Sequence, residues 1–176
     1  LRFISKEKET QMSHKNEKGF CSPTVKFNLV YSMMHMFRHL FEEGIGLRQF
    51  MDYYYIIMNS TEWDRKEATD VIKKIGKNRF LGGVMYVLQE VFLLDEKYLL
   101  VKTNKELGQF LMNEIWIGGN FGYHDNRVKK DKSLSDRVKR RLKRQLTLYS
   151  FGPSEVICGP FWKAWHYCWR RKNGYL

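Results

Sequence analysis

Proline, cysteine and long apolar runs are all scarce in this chain of 176 residues, and each scarcity excludes something. Only three cysteines occur, at positions 21, 158 and 168, and none forms a C-x-x-C pair. The sequence therefore encodes neither a disulfide framework nor a thiolate zinc site, and a cytoplasmic setting is expected. No stretch reaches the roughly 18 apolar residues needed to span a bilayer. Even residues 27–41 and 80–94 are interrupted by His, Arg, Gln or Glu, so no transmembrane segment is expected. Thirteen glycines and three prolines are too few for a collagenous or turn-rich architecture. Catalytic signatures are missing too. There is no G-x-x-x-x-G-K-[ST], no G-x-G-x-x-G, no nucleophile elbow, and no D-x-D or D-x-E pair of the kind that holds two metals.

What is present is the composition of a folded domain, with 43% hydrophobic and 15% aromatic residues, enough to build a substantial core. The net charge of +12 is unevenly spread. Residues 1–119 hold 17 Lys/Arg against 15 Asp/Glu, whereas residues 120–176 hold 14 against 4. Within the latter, the run opened by Arg127 and closed by Arg144 carries ten basic and two acidic residues, a density that attracts polyanions, nucleic acid among them.

Periodicity reads as helix nearly throughout, so an all-α fold is expected: a single helical domain of about seven helices built on an N-terminal αα-hairpin. The spacing predicts helices over 22–43, 47–59, 61–75, 79–92, 104–119 and 133–149, and a seventh from 153. Ser22-Pro23, Thr61 with Asp64, Asn104, Ser133 with Asp136, and Pro153 supply starts, while Gly44, Gly76 and Gly118-Gly119 supply stops. Gly159-Pro160 is expected to kink or split the last helix. Strand signals are confined to residues 98–101 and to residues 1–4, the latter readable as a residual N-terminal strand. Residues 1–21 open on Leu and are largely polar. They are expected to be a lead-in from an N-terminal domain of a longer protein, with the helical C-terminal domain occupying 22–176.

The first predicted helix is apolar almost all round and is expected at the centre of the domain. Its polar exceptions, Asn28, Ser32, His35, His39 and Glu42, fall on one face. After Gly44-Ile45-Gly46 the pattern recurs with Arg48, Asp52, Tyr55 and Asn59, opposite a core-seeking face of Leu47, Phe50, Met51, Tyr54 and Met58. Two readings stand side by side. His35, His39, Arg48 and Asp52 satisfy one another inside a helical core, or they line a shared cleft and bind a ligand. His35 and His39 also have the spacing of a two-imidazole metal grip, but no third ligand and no H-E-x-x-H accompanies them, so no metal is assigned to this chain. Residues 117–127, IGGNFGYHDNR, form a glycine-rich loop. Its Gly118, Gly119 and Gly122 permit close backbone approach to a phosphate.

The segment YSMMHMFRHLFEEGIGLRQFMDYYYIIMN, residues 31–59, carries H-x-x-x-H followed by G-[IV]-G-L-R-Q-x-x-D. It resembles the C-terminal half of a bacterial nucleotidyltransferase family with a polymerase-β-like catalytic fold. FLGGVMYVLQEVF, LGQFLMNEIWIGGNFGYHDNR, the basic helix and YSFGPSEVICGPFWKAWHYCWR look like successive blocks of the same family, so the resemblance covers residues 22–172. It implies an N-terminal α/β domain bearing a Gly-Ser turn and Mg2+-binding aspartates, followed by a helical domain that completes a nucleotide or acceptor site. Mg2+ is expected only in that catalytic domain, and residues 1–176 are expected to transfer nothing alone. The partners implied are a nucleoside triphosphate and an acceptor. The motif positions carried over as nucleotide- or acceptor-site candidates are His35, His39, Arg48, Gln49 and Asp52, with Gly119, Asn120, Phe121, Gly122, Asp125 and Arg127. The alternative is a basic helical module that binds nucleic acid or another polyanion through residues 127–144 without catalysis.

Overall fold

A computed structural model describes residues 2–13, 15–42, 44–118, 133–149 and 151–175. Eight α-helices follow in order: α1 Arg2–Ser13, α2 Val25–Glu42, α3 Leu47–Met58, α4 Glu62–Lys74, α5 Asn78–Phe92, α6 Lys105–Gly118, α7 Leu134–Thr147 and α8 Pro153–Lys172. A 3-10 turn, Glu96–Tyr98, sits between α5 and α6. Among the described residues there is no strand, only an isolated antiparallel bridge between Lys15 and Cys21, so the fold is all-α as the periodicity indicates. Neither strand signal in the sequence matures. Residues from Arg2 onward are helical, and residues 98–101 close the 3-10 turn and lead into α6.

Several helix starts are legible as local chemistry. Thr61 and Asp64 form a reciprocal capping box, with Asp64 N–H donating to Thr61 Oγ1 at 3.1 Å and Thr61 N–H donating to Asp64 Oδ2 at 3.0 Å. Ser133 and Asp136 do the same for α7, at 3.1 and 3.2 Å. Asn104 Oδ1 accepts from Leu107 N–H at 3.0 Å, capping α6. Gly76, at φ +73°, ends α4, and the Lys77 N–H closes back onto the Ile72 carbonyl. The last helix runs unbroken through Pro160 from Pro153 to Lys172, so Gly159-Pro160 does not split it.

The helices gather into two compact units, residues 1–125 and 126–176. In the first, the most buried element is α5 rather than α2: Phe80, Leu81, Gly82, Gly83, Val84, Met85, Val87 and Leu88 are all buried. Its packing partners are α3, α4 and, most extensively, α6. α2 buries only one face, that of Leu29, Val30, Met33, Met36, Phe37 and Leu40, leaving Tyr31, His35 and Arg38 exposed. The sequence made α2 look central because aromatic and methionine residues surround it, yet Tyr31 stacks along the helix surface instead of entering the core.

The start of α2 differs from the sequence signal as well. Thr24, not Ser22, caps it: Thr24 Oγ1 accepts from Phe27 N–H at 3.1 Å. The acidic partner of this cap comes from another helix. Glu7 on α1, buried at 3% exposure, accepts from Thr24 N–H at 3.0 Å and from Gln11 Nε2 at 3.2 Å. A carboxylate thus meets the positive end of the α2 dipole across 17 residues of chain, locking α1 to α2. Burial pushes the Glu7 carboxyl up, but the Thr24 hydroxyl and N–H, the Gln11 amide and Lys26 together hold it below its ordinary value of 4.5. A folded-state value below the unfolded one means that Glu7 stabilises the fold above the unfolded value. That contribution is lost as pH falls through the folded value. Glu7→Gln should therefore melt below wild type at neutral pH, by about 1 kcal/mol in stability, with the gap closing in acid. Thermal melts across that range check it, and a gap that does not change with pH would contradict it.

Candidate functional site

The hairpin of α2 and α3 is built by three residues. Gly44 sits at φ +108°, a conformation that glycine adopts without a Cβ penalty, and its N–H closes onto the His39 carbonyl at 2.7 Å. Gly46 then caps α3 through its backbone: its N–H donates to Gln49 Oε1 at 3.0 Å, and its carbonyl accepts from Gln49 N–H at 3.2 Å. Gln49, a motif residue of unassigned role in the sequence, is thus a helix-start residue. Its amide Nε2 is buried and has no partner among the described residues.

On α3 the buried residues are Phe50, Tyr53 and Ile57. This corrects the expected core face: Leu47, Met51 and Met58 are exposed and Tyr54 is half-buried, so the helix is turned toward Tyr53 relative to the sequence reading. Arg48, Asp52, Tyr55 and Asn59 are all exposed, on the side opposite the buried face. Neither Arg48 nor Asp52 makes an ion pair or side-chain hydrogen bond among the described residues. The proposal that these two satisfy a buried polar network is therefore set aside, because both face solvent.

On the α2 stripe Asn28 and Ser32 are half-buried. His35 is exposed and His39 half-buried, with their Nε2 atoms 2.9 Å apart and their rings edge to face at 4.3 Å. One ring donates and the other accepts, so the contact requires at least one neutral imidazole. The pair ends a surface ladder of stacked rings that runs Phe3, Phe27, Tyr31, His35, with centroids 6.0, 5.7 and 5.9 Å apart. The first ring belongs to α1, so α1 buttresses the face on which the histidines sit.

Gly119, Asn120, Phe121, Gly122, Asp125 and Arg127, like the side chain of Glu42, lie outside the described residues. The basic run is described only in part: Lys139 and Lys143 are exposed on α7. Among the described residues, no three His, Cys, Asp or Glu side chains converge as metal ligands do.

The sequence reading missed one concavity. An open groove of about 800 Å3 runs between α4 and the 3-10 turn, lined among others by Arg65, Lys66, Thr69, Lys73 and Tyr98. The Arg65 guanidinium and the Lys97 ammonium lie 5.2 and 5.1 Å from the Tyr98 ring centroid. Arg65 is also committed to the Ser60 carbonyl at 2.7 Å. The spacing of positions 65, 66, 69 and 73 on one helical face was the signal available.

No curated protein and no solved structure matches the chain. One family model does, over residues 4–93, the stretch that holds the ring ladder from Phe27 onward, the histidine pair, the Gly-Ile-Gly-Leu-Arg-Gln turn and α5. That segment is half of the chain, and by it the protein belongs to a family described as uncharacterised nucleotidyltransferases.

Proposed function

We propose that this chain is the helical part of a nucleotidyltransferase. In this reading it completes a nucleotide or acceptor site whose metal-binding carboxylates belong to a domain N-terminal to it. What supports the reading most directly is Arg48. It lies inside the matched segment, on the outward face of α3, with an exposed guanidinium that no carboxylate neutralises among the described residues. A guanidinium held on a rigid helix can contact phosphate oxygens through two parallel N–H groups. On the neighbouring helix, the hydrogen-bonded His35–His39 pair lies inside the same matched segment. Gln49 positions rather than binds, since its side-chain oxygen fixes the turn from which Arg48 projects. Asp52, one turn from Arg48, is suited to a sugar hydroxyl or to orienting the guanidinium once phosphate is bound.

These groups supply affinity and orientation but not the chemical step. Phosphoryl transfer depends on charge neutralisation at the reacting phosphorus, and uniform binding of a triphosphate does not lower that barrier. Residues 1–176 are accordingly expected to bind nucleoside triphosphates weakly and to transfer no nucleotide alone.

Arg48→Ala tests the reading. Because the side chain is exposed and has no ion-pair partner among the described residues, stability should change by no more than about 0.5 kcal/mol. Affinity for triphosphate should fall about tenfold, the loss of one charge-assisted contact. Isothermal titration with ATP, CTP, GTP and UTP, paired with thermal melts, measures both. Unchanged affinity in a fully folded variant would remove Arg48 from the site.

A further inference from the structure

The proposed site leaves the second unit, residues 126–176, without a role, yet it carries the most unusual surface in the protein. α8 is a 20-residue helix in which no residue is buried. Three of the chain's five tryptophans fall within eight of its residues. Phe161, Trp162 and Trp165 are 75, 57 and 60% exposed, and Ile157 and Trp169 are exposed with them. At 100° per residue these five fall within one arc of the helix, which Lys172 shares and Arg171 flanks, while Lys163 and Arg170 fall on the opposite side. The apolar side is ordered: Trp162 stacks on His166 at 4.9 Å, His166 on Trp169 at 6.0 Å, and Trp169 on Tyr175 at 5.6 Å. α7 repeats the design with aliphatic residues. Val138, Leu142 and Leu146, four apart, are exposed, and Lys139 and Lys143 sit one position beyond the first two.

Solvent-facing apolar surface of this extent marks an interaction site, and its chemistry selects the occupant. We propose that α7 and α8 seat the second unit in the plane of an anionic phospholipid surface. Three features select that partner. Residues 126–176 hold 14 Lys/Arg against three Asp/Glu, so the unit complements a negatively charged leaflet, and two copies of it repel one another. Exposed tryptophans along one arc with arginine and lysine beside and behind them suit the headgroup boundary, where the indole is half in hydrocarbon and half in water and long basic side chains reach the phosphates. The aliphatic stripe 138, 142, 146 and Ile157 add nothing to base stacking or phosphate contact, but they bury readily at an acyl boundary, which favours lipid over nucleic acid. No described helix is long and apolar enough to cross a membrane, and the proposal is of helices that lie on its surface.

Sedimentation of the whole chain with vesicles of phosphatidylcholine alone, or of phosphatidylcholine mixed with phosphatidylglycerol, tests the proposal. The protein should pellet with the mixed vesicles only, with a blue shift of tryptophan emission and release by salt. The double variant Trp162→Ala/Trp165→Ala should partition at least about tenfold more weakly with an unchanged melting temperature, since neither side chain is buried. Failure to pellet with anionic vesicles would overturn the proposal, as would equal binding to neutral ones. So would a dimer by light scattering that the double variant abolishes, or RNA binding that depends on the same two tryptophans while vesicle binding does not.

Discussion

Gly108→Ala is expected to destabilise the first unit by about 2 kcal/mol or more, an unusual cost for adding one methyl group. A Cβ at position 108 of α6 would lie 2.6 Å from the Cβ of Tyr86 on α5 and closer still to its ring. The obstruction begins at the base of the Tyr86 side chain, so no rotamer change relieves it and the helices must part. They meet through glycines on both sides. A Cβ at Gly82 would lie 3.1 Å from the Lys102 carbonyl oxygen, and one at Gly83 would lie 3.1 Å from the Leu107 Cβ. Because α5 is the buried centre of the unit, separating it from α6 disturbs its contacts with α3 and α4 as well. Urea denaturation should show a lower midpoint for Gly108→Ala. The double variant Gly108→Ala/Tyr86→Ala should lose less than the sum of the two single changes, because it removes the ring atoms nearest the new methyl group and leaves only the contact with the Cβ of residue 86. A Gly108→Ala midpoint equal to wild type would show that the helices are farther apart than described.

The second large effect runs the other way. Tyr53→Phe is expected to stabilise the protein by about 1 kcal/mol, although it removes a polar group and adds nothing. Tyr53 is fully buried, and its hydroxyl has no hydrogen-bond partner among the described residues. Burial alone pushes its ionisation far above the usual tyrosine range, so the hydroxyl stays neutral and unsatisfied. An unpaired buried hydroxyl costs desolvation without a compensating bond, and phenylalanine keeps the ring while removing that cost. One turn earlier on the same helix, Gln49 Nε2 is also buried without a partner. Two orphaned polar groups on the helix that carries Arg48 fit the general trade between stability and function near binding sites. A lower melting temperature for Tyr53→Phe would mean that the hydroxyl has a partner, such as an ordered water.

How much of this was written in the sequence varies with the range of the interactions concerned. The caps at Thr61, Asn104 and Ser133 were legible because each is a bond between residues three apart, complete within one turn of chain. The all-α class followed from the same local periodicity. α1 was not legible, because its anchor is the bond from Thr24 to Glu7 and the stacking of Phe3 on Phe27, neither of which leaves a local pattern. The polar stripes were placed correctly along α2 and α3, but periodicity gives angles within one helix, not which side its neighbours cover. The core therefore took Tyr53 while Met51 and Met58 faced water, and His35 and Arg48 turned outward. The role of Gln49 was hidden for a related reason. Its cap partner, Gly46, has no side chain to signal it.

The central claim is that the outward faces of α2 and α3 meet a nucleotide. Titrating isotope-labelled protein with each of the four nucleoside triphosphates, and following amide and imidazole resonances by NMR, tests it most directly. Weak, saturable shifts concentrated at His35, His39, Arg48 and Asp52 are expected, diminished in Arg48→Ala. Shifts confined to the lysines and arginines of α7 and α8, or no shift with any triphosphate, would contradict it.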